Sequence, residues 1–113
     1  MQLFSTRTHG ILDFVSAGTL LVLPRMLGWS ERVTRLLTNA ALGTVGYSLL
    51  TRYEFGLFKV LPMKAHLLLD GMSGAMLCAI PLMFADEETT VKAALVGLGL
   101  FEITAALTTE TRE

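Results

Sequence analysis

The chain holds one cysteine, three prolines and one tryptophan, and each scarcity excludes something. A single thiol rules out an internal disulfide and any multi-cysteine metal site. Cys78 lies mid-segment in "GAMLCAIP" with no base nearby, so it reads as a small buried hydrophobe rather than a nucleophile. Charge of one sign is also lacking. Nine Lys and Arg stand against ten Asp and Glu, for a formal net charge of −1 and a pI of about 6.1. There is no basic surface for nucleic acid, and neither a helix-turn-helix nor an aromatic-plus-basic pattern. The first apolar segment lacks a strongly basic start and a small-x-small site before Pro24, and it carries Asp13 inside. It is expected to belong to the mature fold, not to a cleaved signal peptide.

Apolar residues are abundant, at 52% with a mean hydropathy of +0.57. They are gathered into four stretches between polar punctuation, within one domain spanning 1–113. The first runs from about Thr8 to Leu27, where Pro24 and Gly28 act as stop signals. The second starts after Ser30, an N-cap residue, and reaches about Tyr53. The third begins at Pro62, suited to a first helical position, and ends near Ala85. The fourth follows "ADEETT", whose acids suit a helix N-terminus, and ends near Thr108. These stretches are too long and too rich in Ala, Leu and Met for strands, so the chain is expected to be all-α.

No stretch reaches the roughly 18 uncharged residues of a plain membrane span. Yet the first, third and fourth reach that length once one embedded acid each is admitted: Asp13, Asp70 and Glu102. Runs such as "NAALGTVGYSLL" and "AALVGLGLF" are apolar or small all round, without the polar stripe of a soluble bundle. Gly18, Gly43, Gly46, Gly74, Gly97 and Gly99 fall within the segments, where small residues let membrane helices approach closely. Trp29 is expected as an interfacial anchor. The expectation is a bundle of four transmembrane helices in a lipid bilayer. Its termini and middle loop carry five basic residues against four on the other side, a slight vote for cytoplasmic termini. Four short helices enclose little interior, so self-association into a homo-oligomer is expected.

The chain also repeats itself. "THGILDF" and "KAHLLLDG" each place a histidine four residues before an aspartate. Shifted by 57 positions, His9 meets His66, Leu12 meets Leu69, Asp13 meets Asp70, Ser16 meets Ser73, Leu20 meets Leu77 and Pro24 meets Pro81. The matches up to position 20 fall at i, i+3, i+4, i+7 and i+11 and so share one helix face. The second halves match more faintly in a frame three residues shorter, with Gly43 on Gly97, Tyr47 on Phe101 and Ser48 on Glu102. The reading is two tandem hairpins, about 5–54 and 62–109, related by a pseudo-two-fold axis along the membrane normal.

With "LLVLPRMLGW", "AIPLMFAD" and "VGLGLFEITAALTT" added to these repeats, the chain resembles the SPW repeat family of small bacterial membrane proteins. Of the motif that names the family only the proline survives, in Leu23-Pro24-Arg25 and Ile80-Pro81-Leu82. The resemblance implies a multi-span protein of the bacterial plasma membrane and carries no activity with it.

At about 1.5 Å per helical residue, His9, Asp13, His66, Asp70 and Glu102 should fall in one half of the bundle, with Ser48, Arg52 and Glu54 in support. Ionisable groups at such depth face the interior and need compensation. Three readings are open. The cluster is a proton or cation site for transport or sensing. It is hydrogen-bonding glue in a structural subunit. Or His9, His66, Asp13 and Asp70 hold zinc or non-haem iron, or the two histidines a haem. Nothing in the sequence requires a cofactor. No base–nucleophile pair can be read from it either, so catalysis is not indicated.

Overall fold

The computed structural model describes residues 4–51 and 55–109. Four helices follow in order: α1 Thr6–Met26, α2 Glu31–Leu49, α3 Met63–Met83 and α4 Thr89–Thr108. Among the described residues there is no strand, only two isolated bridges, Phe4 with Thr109 and Thr51 with Leu61. Arg52 and Glu54, expected near the polar cluster, lie outside the described residues.

Local chemistry explains the ends. Ser5 caps α1, its hydroxyl accepting from the Thr8 amide at 3.1 Å, so the helix begins two residues earlier than expected. Ser30 caps α2 in the same way through the Val33 amide. Pro24 does not stop α1 but lies in its last turn. The stop comes from Gly28 at φ +66°, which lets the Trp29 amide return to the Pro24 carbonyl at 2.9 Å. Trp29 thereby packs half-buried against the core at the end of α1. Helix α2 stops at Leu49, short of the expected Tyr53. The Leu49 and Leu50 carbonyls are taken by the amides of Leu57, Phe58, Val60 and Leu61 as the connector folds back.

Helix α1 packs along α2 and α3 along α4, while backbone contact between the two hairpins is sparse. The apolar core fills one half of the molecule: Ala17, Leu20, Val33, Leu37, Ala41, Leu77, Ile80, Val91 and Leu95. Beyond it, the α1–α2 turn and the α3–α4 turn are tied together at the surface. Arg32 reaches Glu87 at 2.7 Å and Asp86 at 2.5 Å and stacks 4.3 Å over Phe84, and the Ser30 hydroxyl donates to Glu87 at 2.7 Å. The opposite half holds the polar cluster.

Buried positions of α1 and α3 coincide in the frame read from the sequence: His9 with His66, Asp13 with Asp70, Ala17 with Gly74, Leu20 with Leu77. For α2 and α4 they do not. Packing pairs Val33 with Val91, Leu37 with Leu95, Ala41 with Gly99 and Thr51 with Thr109. This frame is one residue longer than that of the first halves, instead of three shorter. Gly43 and Gly97, which suggested the shorter frame, are both exposed and carry no packing constraint. Glu102 therefore corresponds to Thr44, not Ser48.

Candidate functional site

The cluster is built where α1 and α3 begin and α2 and α4 end. His9 and His66 lie within the first turn or so of their helices, and the i,i+4 spacing brings Asp13 and Asp70 onto the same faces one turn deeper. All four are buried: His9 1% exposed, His66 0%, Asp13 6% and Asp70 5%. Each histidine touches both aspartates through Nε2. Within each helix the separation is 3.1 Å, His9 to Asp13 and His66 to Asp70. Between hairpins it is shorter, 2.5 Å from His9 to Asp70 and 2.8 Å from His66 to Asp13. The cross-hairpin contacts thus lead, and the four side chains form a closed ring between α1 and α3.

The far side of each imidazole is equally determined. His9 Nδ1 lies 2.6 Å from the Thr109 hydroxyl, and His66 Nδ1 lies 2.7 Å from the Thr51 hydroxyl. Each hydroxyl already donates its one proton to a carbonyl a turn back, Thr109 to Ala105 at 2.6 Å and Thr51 to Tyr47 at 2.7 Å. Both must therefore accept from Nδ1–H. With Nδ1 carrying a proton, a neutral ring turns the Nε2 lone pair toward carboxylate oxygens 2.5 to 3.1 Å away. Lone pairs at that distance repel, so a positive species belongs between them: a proton on each Nε2, or a metal ion.

Around the ring the symmetry breaks. The Tyr47 hydroxyl donates to Asp70 Oδ1, and its ring meets that of His66 edge to face at 4.9 Å. Position 105, its counterpart in the packing frame, is an alanine. Glu102 is half-buried on α4, bonded to Ser73, and its buried Oε2 has no hydrogen-bond partner among the described residues. It lines a cavity of about 10 Å³, room for about one water, together with His9, Asp13, Ser16, Thr44 and Asp70. Ser48 is fully buried on α2, yet its hydroxyl makes no hydrogen bond among the described residues.

The His9, Asp13, His66 and Asp70 donor atoms all lie within 4.8 Å of one another, close enough for one small cation. A porphyrin does not fit: the two histidine rings are 5.5 Å apart, edge to face, too near to lie on opposite sides of a haem. Sequence reasoning named the four central residues and Glu102 but not Tyr47, Thr51 or Thr109. The available signal was a hydroxyl at the C-terminal end of each even-numbered helix, where the chain returns beside a histidine. The chain matches no family model, no curated protein and no solved structure.

Proposed function

We propose that this chain is a four-span integral membrane protein of the SPW repeat type in a bacterial plasma membrane, both termini cytoplasmic. In this reading its His–Asp ring is an exchangeable cation site used in transport or sensing. The observation that carries it is the pair of threonine acceptors. They turn both Nε2 atoms onto buried carboxylates, an arrangement that calls for a cation at the centre.

Membrane placement draws on the outer surface. Helices of 19 to 21 residues are about 30 Å long, matching a bilayer's hydrocarbon core. Two of them, Met63–Met83 and Thr89–Thr108, are long and apolar enough to cross, with mean hydropathies of 1.4 and 1.6. Most of the surface of both helices is open, whereas the core helix of a soluble protein is mostly buried, and this supports the membrane reading. Leu82 at 84% exposed, Met26 at 74% and Leu107 at 74% put large apolar side chains on the outside of α3, α1 and α4. The α2–α3 connector adds exposed Leu57, Phe58 and Val60 beside Lys59, a composition suited to a membrane interface. Helices α1 and α2 are less apolar and enter the bilayer in this reading as partners of the second hairpin. Gly43 and Gly46, exposed on α2, offer a close-packing face for self-association.

A second reading has its own support. The ring links two hairpins whose backbones scarcely touch, so it also serves as interhelical glue in a structural subunit. Reconstitution separates the two. Proteoliposomes of the wild type should dissipate an imposed pH gradient, and a double variant Asp13→Asn with Asp70→Asn should not. Equal gradient decay in both preparations would leave the glue reading alone.

A further inference from the structure

We infer that His9 Nε2, His66 Nε2 and one carboxylate oxygen each from Asp13 and Asp70 form a four-coordinate site for a divalent transition-metal ion of the zinc or iron(II) class. The inference rests on the cation-site reading above and names the cation.

Three features point to it. First, the imidazoles are prepared as metal ligands are: the distal nitrogen donates to a fixed acceptor, which sets the tautomer and turns the other lone pair inward. Here Thr109 and Thr51 are those acceptors. Second, the donor set is two nitrogens and two oxygens from four separate side chains. Bond lengths of about 2.0 to 2.2 Å in a tetrahedron would place neighbouring donors roughly 3.3 Å apart. The nearest donors stand 2.5 to 3.1 Å apart, with Asp13 turning Oδ1 to His9 and Oδ2 to His66, so the ion is admitted by an opening of up to about 0.8 Å and a turn of the Asp13 carboxylate that presents one oxygen. Third, the charges balance: two carboxylates and two neutral imidazoles are neutralised by one divalent ion, which suits a buried site. Magnesium and calcium prefer six or more oxygens, and imidazole nitrogens are poor ligands for them. The small cavity beside Asp13, Asp70 and Glu102 leaves space on one side for the ion to pass or to carry a water.

The full chain, purified in detergent, should be titrated with cobalt(II) as a spectroscopic stand-in for zinc. One equivalent should bind with the intense visible bands of tetrahedral cobalt, and zinc should displace it. Asp13→Asn with Asp70→Asn should abolish the bands. Thr51→Val with Thr109→Val keeps all four donors and should weaken binding by about 10- to 100-fold, the usual effect of losing outer-shell partners. No saturable binding, or only the faint spectrum of octahedral cobalt, overturns the inference. So does tight binding that survives in the folded Asn variant. If cobalt does not bind while wild-type liposomes still pass protons and the Asn variant does not, the metal assignment fails and the cation site stands. If both binding and flux are missing, both fall.

Discussion

The two hairpins share a backbone plan and differ in how tightly it is drawn. In the second, α3 and α4 cross at Gly74 and Gly99. A Cβ on Gly74 would come within 2.7 Å of the Gly99 carbonyl oxygen, and one on Gly99 within 2.5 Å of the Gly74 oxygen. In the first, the same positions are Ala17 and Ala41, both buried, and the backbones of α1 and α2 are in less dense contact than those of α3 and α4. The second hairpin is also the more apolar, since both its helices are long and apolar enough to cross a membrane. The first supplies more of the polar partners: Thr44 facing the cavity, and Tyr47 donating to Asp70. One hairpin is the more closely packed and the more apolar, and the other is the arm that brings Tyr47 and Thr44 to the site. The symmetric ring between them shows that a repeat can conserve its contact residues while its two copies specialise around them.

The comparison can be broken most severely at the ring. His66→Ala leaves Asp13 and Asp70 each short of one partner in a buried place, and His9→Ala does likewise. Either should cost roughly 3–5 kcal/mol, read as a lowered denaturant midpoint in detergent. A loss below 1 kcal/mol would show the cluster to be hydrated and open. At the helix crossings, Gly99→Val should destabilise by roughly 1–3 kcal/mol through overpacking, because the nearest obstacle is backbone. By contrast Ala41→Gly, at the equivalent position, should cost only about 0.5–1 kcal/mol. Equal losses would mean that the hairpins are packed alike. Tyr47→Phe removes a hydrogen bond to a carboxylate and should cost about 1.5–3 kcal/mol. Because Asp70 then loses the Tyr47 hydrogen bond, the stability difference between Asp70→Asn and Asp13→Asn should shift in the Tyr47→Phe background.

The smallest effect belongs to the far end, where the turns of both hairpins meet. There the Ser30 hydroxyl and the Arg32 guanidinium hold the Glu87 carboxyl below its ordinary range, and Arg32 does the same for Asp86. A depressed carboxyl contributes stability above its unfolded value and loses it as pH falls through its folded one. Arg32→Ala should therefore leave stability at acid pH unchanged and lower it at neutral pH, so that the acid decline flattens, by a small amount because surface pairs contribute little. A pH series of melting temperatures for both proteins checks this.

Much of this was legible in the residues. The i,i+4 histidine and aspartate pairs marked the faces of α1 and α3, because helical periodicity ties sequence spacing to position around the axis. Ser30 marked the start of α2 as a side-chain cap, and Pro62 and the acids before α4 marked the starts of α3 and α4 by their preference for such positions, because these signals act locally. The pairing of α2 with α4 was misread because identities such as Gly43 with Gly97 lie on the exposed side, whereas the packed side repeats only in kind, as Ala41 and Gly99. Tyr47, Thr51 and Thr109 went unrecognised because hydroxyls at helix ends are common, and only proximity makes these three special.

By itself, then, the sequence determined the four helices, the two-fold repetition and the depth at which the histidines and aspartates are buried, all consequences of local periodicity and burial. Only the tertiary structure decided that each histidine leans toward the other hairpin's aspartate, and that Thr109, 100 residues from His9, sets its tautomer. Contacts of that kind depend on how two hairpins dock in three dimensions, and no spacing along the chain encodes that distance.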